Sequence, residues 1–231
     1  MTSPEASTSG APRHAVYFAP AIGSPWWRFG HVWFGASAAG RGGLSAQDRQ
    51  HMTGAPGRYG FHATLKAPFR LAEHAGMALL NDRLVQLAGA LHAVPLGAMH
   101  PRRFSGFVAL TPRVQSAALN ELAACCVANL DDLRAPLLPH EIARRGPDKL
   151  DDRERELLLR HGYPYVMDRF RFHMTLAICR GDAAQAVMDL AQQDVMALNR
   201  DHPLVLDRLC LFEEPMPGAP FHRVRDFSLP A

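Results

Sequence analysis

Two stretches carry the same reactive side chains in the same order: Arg58-Tyr59-Gly60-Phe61-His62-Ala63-Thr64-Leu65 and Arg169-Phe170-Arg171-Phe172-His173-Met174-Thr175-Leu176. Each reads Arg, aromatic, any residue, Phe-His-x-Thr-Leu. Alternation at period 2 sends Phe61, Ala63 and Leu65 to one strand face and His62, Thr64 and Lys66 to the other. In the second copy Phe172, Met174, Leu176 and Ile178 oppose Arg171, His173 and Thr175. Each strand therefore sets an imidazole beside a hydroxyl, about 6.5 Å apart along the chain, pointing away from the core. Given one copy, a second Phe-His-x-Thr-Leu is expected only a few times per ~1,000 chains of this composition.

Two imidazoles, two hydroxyls and nearby cations make a specific inventory. Imidazole titrates near neutrality, so one copy can serve as base while the other serves as acid. The hydroxyls of Thr64 and Thr175 suit phosphate oxygens better than a metal. Lys66, Arg58, Arg169 or Arg171 can supply charge to a phosphoryl group. Phosphodiester chemistry fits this set without a cofactor. One His activates water, the other protonates the leaving alcohol, and the hydroxyls hold the non-bridging oxygens.

The elements that must position these strands follow from periodicity. Arg13 to Pro20 reads as a first strand. Pro20 to Gly43, rich in Gly and Pro and holding Trp26, Trp27 and Trp33, reads as a loop with a short helical turn. Ser45 to Met52 reads as a short capped helix. Met77, Leu80, Leu84, Leu87 and Leu91 mark an amphipathic helix, and Leu119, Leu122, Cys126, Leu130 and Leu133 a second. Strands are expected near 93–99 and 104–110. The charged run 134–162 holds a helix capped by Asp151 with Glu154 and stopped by Gly162, mostly a solvated face and placed where a lid or interlobe connection would sit. Val187, Leu190, Ala191, Val195 and Leu198 give a further helix. Leu204–Phe212 and Phe221–Phe227 form a strand pair turned by Pro215-Met216-Pro217-Gly218. Each His-x-Thr strand is thus followed by a helix and two strands. The expected fold is α+β: two pseudo-equivalent lobes, each a mainly antiparallel sheet with helices outside, flanking a central cleft. The boundaries are a loose tail at 1–12 and one bilobal domain at 13–231, its lobes built around 58–69 and 169–179.

Bulk properties narrow the classes. The 231 residues are 48% hydrophobic and 20% charged, with a net charge of +3. That admits an anionic ligand without demanding nucleic acid. Among 25 basic residues only Lys66 and Lys149 are lysine. Cys125, Cys126, Cys179 and Cys210 lack metal or disulfide spacing and read as reduced thiols of a cytoplasmic protein. No apolar run reaches the roughly 18 residues of a membrane span, and the first twelve residues lack the apolar core of a signal peptide.

The paired strands resemble the 2H phosphoesterase superfamily, which includes the LigT-type RNA 2′,3′-cyclic phosphodiesterases. The stretches 58–69, Gly162-Tyr163-Pro164-Tyr165 and 170–176 are similar to one branch, the DUF1045-type proteins encoded with phosphonate-utilisation genes. Tyr17-Phe18-Ala19-Pro20 and Ser24-Pro25-Trp26-Trp27-Arg28 extend the likeness over nearly the whole chain after the tail. The resemblance implies a bilobal LigT-like fold, metal-independent hydrolysis of cyclic phosphodiesters, and His62, Thr64, His173 and Thr175 as the catalytic set. It further implies a phosphorylated ribose cyclic phosphate from phosphonate breakdown as substrate, with no cofactor and no metal. By position, Tyr59, Lys66, Tyr165 and Arg171 are assigned to substrate binding.

Three rivals remain at this stage. The same pair of strands could process RNA ends or ligate them, but that calls for a basic groove with stacking aromatics, and no dense basic patch stands outside 144–155. A small phosphorylated substrate is therefore favoured over nucleic acid. A metallohydrolase would need ligand spacing that the other ten histidines lack; His140-Glu141 has no second His of His-Glu-x-x-His. A non-catalytic phosphate-binding module would use the same cleft. No membrane partner is expected, and the oligomeric state is left open.

Overall fold

The computed structural model describes residues 10–35 and 45–231. Residues 1–9 of the expected tail, 36–43 of the expected loop and residue 44 lie outside the described residues. The elements in order are β1 (Arg13–Phe18), α1 (Pro25–Phe34), α2 (Ala46–Gly57), β2 (Ala63–Phe69), α3 (Met77–Ala90), β3 (Val94–Pro95), β4 (Met99–Arg103) and β5 (Val108–Pro112). They continue with α4 (Ala117–Ala128), α5 (Pro139–Arg144), α6 (Asp152–His161), β6 (Met174–Ala177), α7 (Gly181–Asp201), β7 (Val205–Leu206), β8 (Arg208–Glu214) and β9 (His222–Ser228).

The class is α+β with antiparallel pairing, but two separate sheets facing one another are not what forms. Among the described residues β4-β5-β6-β2-β1-β8-β9 make one seven-stranded sheet, with β3 and β7 a small second pair. β2 and β6 lie side by side at its middle, joined through the register pair Ala63–Met174. The strands after each motif cross over. β4 and β5 follow β2 in sequence yet pair toward β6, whereas β8 and β9 follow β6 yet pair toward β1 and β2. Each half of the sheet is thus assembled from both halves of the chain. Interleaving of this kind leaves no trace in hydrophobic period, because period reports which face is buried and not which strand lies alongside.

One sheet face carries the main core. Val16 and Phe18 of β1, Phe61, Ala63 and Leu65 at β2, and Phe172, Met174 and Leu176 at β6 all pack there. α3 lies against β8 and β9, and α7 against β4, β5 and β6. Both helices show the expected stripe, with Leu80, Leu84 and Leu87 buried on α3 and Val187, Ala191 and Val195 on α7. The other face of β1 carries Ala15 and Tyr17, which join Cys210, Phe212 and Phe221 in a smaller cluster against Tyr59.

Two local readings need correction. The tryptophan-bearing stretch is a ten-residue helix and not a loop with a turn. Ser24 caps it by accepting from Trp27 N, and Pro25 sits at its first position, where a missing N–H costs nothing. The His-x-Thr strands are also shorter than expected: His62 and His173 each stand one residue before the first residue of β2 and β6. By contrast α6 forms with the anticipated Asp151–Glu154 capping box and ends at Gly162, whose φ of 75° is left-handed. No helix among the described residues is long and apolar enough to cross a membrane.

Candidate active site

Paired residues in a ladder project to the same face. Ala63 and Met174 both enter the core and are fully buried. Their neighbours must therefore emerge together on the opposite face. Carrying that antiparallel register one residue each way sets His62 across from Thr175 and Thr64 across from His173. Directly opposed Cβ atoms in such a pair lie about 5 Å apart, and the two histidines, on the diagonal, about 7 Å apart. The four side chains of the sequence motifs form one quadrilateral on one sheet face.

The two imidazoles are held alike. Nδ1 of His62 bonds the Gly60 carbonyl at 2.9 Å, and Nδ1 of His173 bonds the Arg171 carbonyl at 2.8 Å. A carbonyl oxygen only accepts, so each Nδ1 carries the proton and each neutral ring presents a lone pair at Nε2. Gly60 has a φ of 69°, and this left-handed turn aims its carbonyl back at the ring two residues on. Neither Thr64 nor Thr175 has a hydrogen-bond partner among the described residues, which leaves both hydroxyls available.

Electrostatics separates the pair. Burial pushes His62 down to about 4; the Gly60 carbonyl opposes that shift, and the nearby charge of His173 adds to it. Burial also lowers His173, against the pull of the Arg171 carbonyl. Their surroundings differ in kind. The buried Tyr17 ring stacks on His62 at 4.1 Å and 28°, with Tyr59 at 5.9 Å and Phe212 at 6.4 Å. His173 instead faces Phe104 and Phe107, rings stacked 4.6 Å apart, at 6.0 and 5.6 Å.

Two cavities meet over the quadrilateral, sharing Thr64, Ala67 and Tyr163. One, about 640 Å³, is lined by His62 and Thr175 with Tyr17, Tyr59 and several arginines. The other, about 340 Å³, is lined by His173 with Phe104, Phe107, Tyr165, Arg169 and Arg171. Of the residues expected to bind substrate, Tyr59 lines the larger cavity, and Tyr165 and Arg171 line the smaller. Arg58 also reaches the larger cavity, donating to the Gly218 and Ala219 carbonyls. In the smaller cavity Arg169 is paired with Asp151 at 2.7 Å.

Lys66 is not brought to either cavity. Its side chain is 3% exposed, with Nζ 3.2 Å from Asp131 Oδ1 and 3.3 Å from the Val127 carbonyl. Burial lowers its ammonium and Asp131 opposes that. Burial raises the Asp131 carboxyl, yet Lys66 and Arg134 together draw it below its ordinary range. His161 holds the other oxygen of Asp131 at 3.1 Å. Lys66 thus ties β2 to the end of α4. A lysine two residues past Thr64 looks available in sequence only because Asp131 is 65 residues away.

Residues that sequence reasoning did not single out complete the site. Tyr17 alternates with Val16 and Phe18, and that alternation marks it as facing away from the core. Phe104 and Phe107 come from the β4–β5 turn, and Tyr163 from the segment after α6. Arg144 and Arg145 read as part of a solvated charged run, but both line the larger cavity.

Comparison with known proteins places the chain. A family model described as "Protein of unknown function (DUF1045)" matches residues 64–222, from Thr64 through the start of β9. The chain belongs to the DUF1045 family. It is also similar to two curated proteins, each named "Ribose 1,5-bisphosphate phosphokinase PhnN". The one from Janthinobacterium sp. (strain Marseille) is 36% identical over 231 residues, covering 93% of this chain and 50% of its own. The one from Laribacter hongkongensis (strain HLHK9) is 38% identical over 221 residues, covering 92% and 51%. The chain spans about half the length of these relatives, both of which are named for an enzymatic activity.

Proposed function

We propose that this DUF1045 chain is a metal-independent cyclic phosphodiesterase of the 2H type, opening the cyclic phosphate of a small ribose-type substrate in phosphonate breakdown in the cytoplasm. One observation carries the reading: two imidazoles diagonal to one another with Nδ1 anchored alike and Nε2 free, each facing an unpartnered threonine hydroxyl across one sheet face. Seated over the quadrilateral, a cyclic phosphate has its non-bridging oxygens within reach of the Thr64 and Thr175 hydroxyls. His62, the more strongly depressed imidazole, stays neutral, and its Nε2 removes a proton from water as the water oxygen bonds phosphorus. The ring P–O bond breaks, and Nε2–H of protonated His173 delivers its proton to the departing alkoxide. The products are a phosphomonoester and an alcohol. Exchange with solvent then returns each ring to its starting state.

The relatives' kinase name bears on this reading through chemistry. A P-loop phosphokinase needs Gly-Lys followed by Ser or Thr. The two lysines of this sequence follow Leu65 and Asp148, so it holds no such motif. We assign the kinase name to the half of those relatives outside the match. Opening a ribose 1,2-cyclic phosphate that carries a 5-phosphate, with cleavage at O2, yields ribose 1,5-bisphosphate, the compound in that name. The two activities would then be consecutive.

A second reading, hydrolysis of an RNA 2′,3′-cyclic phosphate, is favoured by the aromatic wall beside His173, where Phe104, Phe107, Tyr163 and Tyr165 could stack a base. The test is a screen of ribose and nucleoside cyclic phosphates in excess EDTA, with wild type and His173→Ala. Turnover that survives chelation, is lost in the variant and favours the ribose substrate is expected. Turnover abolished by chelation, or unchanged in the variant, would sink the proposal. Preference for nucleosides would select the second reading.

A further inference from the structure

The larger cavity has a chemical character that acid–base hydrolysis does not call for. Its wall carries Arg13, Arg58, Arg144 and Arg145, with Glu214 the single carboxylate among the lining residues. That carboxylate is already occupied: Arg13 donates to Oε2 at 2.5 Å, and Gly218 N to Oε1 at 2.9 Å. Glu141, on α5 beside these arginines, is held by Arg70 at 2.9 Å and by Leu138 N at 2.8 Å. Arg145 is half-buried with its guanidinium 4.7 Å over the Tyr163 ring. Among the described residues neither Arg145 nor Arg144 has an ion-pair partner.

Guanidinium groups gathered beside like charge and partly withdrawn from water cost the fold both desolvation and repulsion. Burial, with Arg144 and Arg13 nearby, draws Arg145 below its ordinary value, against the contributions of Tyr163 and Glu141. An anion entering the cavity would relieve both costs. Arginine forks match the oxygens of a phosphate bidentately. The same cavity wall includes His62 and Thr175, so a molecule of sugar size can reach from the arginines to the reacting centre.

We propose that Arg144 and Arg145, with Arg58 at the same wall, form a recognition subsite for a second, non-reacting phosphomonoester on the substrate. This rests on the reading of His62 and His173 as the reacting pair. It assigns the segment at the end of α5 to substrate selection.

The test uses two ribose cyclic phosphates that differ only in a terminal phosphate. Wild type is expected to prefer the phosphorylated one in kcat/KM by at least about tenfold, the size of one charge-assisted hydrogen bond. Arg144→Gln and Arg145→Gln should each bring that ratio toward one, and Arg145→Lys should restore part of it. A ratio unchanged in both Gln variants overturns the subsite. Arg144 is exposed, so its variant decides the matter if Arg145→Gln fails to fold. Inorganic phosphate should compete with the phosphorylated substrate. Stimulation or non-competitive inhibition would point to a separate regulatory anion and overturn the proposal. If wild type opens neither compound, the cyclic phosphodiesterase reading falls on its own. Calorimetry with ribose 5-phosphate then tests the subsite: binding at least about tenfold weaker in Arg144→Gln supports it, while equal binding, or none by wild type, overturns it.

Discussion

The two His-x-Thr segments are nearly the same in sequence and in local hydrogen bonding, and they differ in what surrounds them. His62 stands beneath a buried tyrosine at the wall of an arginine-bearing cavity. His173 stands beside a stacked phenylalanine pair at the wall of a smaller, aromatic one. Burial holds His62 down to about 4, and His173 is also lowered. The same motif thus meets two different environments, built by neighbours that neither copy contains.

The largest expected effect breaks the comparison at its root. His62→Ala and His173→Ala should each reduce kcat/KM by at least about a hundredfold in steady-state assays. Loss in one variant alone would mean that the motif whose substitution leaves activity intact is not part of the reaction. The pH profile sharpens the comparison. With both rings below the ordinary 6.5, kcat/KM should peak on the acid side of 6.5, falling below about pH 4 as His62 gains its proton. The alkaline limb belongs to His173 and should disappear in His173→Ala. Stability carries the same sign. Folding favours the neutral His62 ring, so thermal melts should lose stability as pH falls from 6.5 toward 4.

A core change tests whether the first motif depends on its support. A Cβ on Gly30 would lie 2.2 Å from Phe61 Cβ, the residue before His62. Gly30→Ala should destabilise by about 1–3 kcal/mol in denaturant unfolding and lower turnover along with it. Lys66→Met tests the opposite expectation. It should cost stability, about 1–3 kcal/mol for a lost buried charged hydrogen bond, while KM is retained. A large rise in KM with stability intact would return Lys66 to substrate binding. The smallest effect is expected at Tyr165, 47% exposed at the rim of the aromatic cavity. Tyr165→Ala should raise KM only severalfold, within about 1 kcal/mol.

What could be read from the chain was read through local rules. The helical stripes of α3 and α7, the Asp151–Glu154 box with its Gly162 stop, and the in–out alternation at 61–65 and 172–176 all depend on residues a few positions apart. The failures are of two sorts. At α1 the Gly- and Pro-rich composition points to a loop with a turn, although a proline directly after a serine cap opens a helix. At Lys66 the partner, Asp131, lies 65 residues away, and the place of Arg144 and Arg145 at a cavity wall depends on elements remote from their own charged run.

The sequence by itself determined the duplicated His-x-Thr pattern, the face on which each pair stands, and most of the helices, because periodicity and capping act over one or two turns of chain. Tertiary structure alone decided that β2 and β6 lie side by side, that strands cross between the halves, and which ring stacks on which imidazole. Register and solvation are set by groups far away in sequence, Tyr17 and Phe212 around His62, Phe104 and Phe107 around His173. Two like motifs acquire unlike surroundings only once those groups have closed around them.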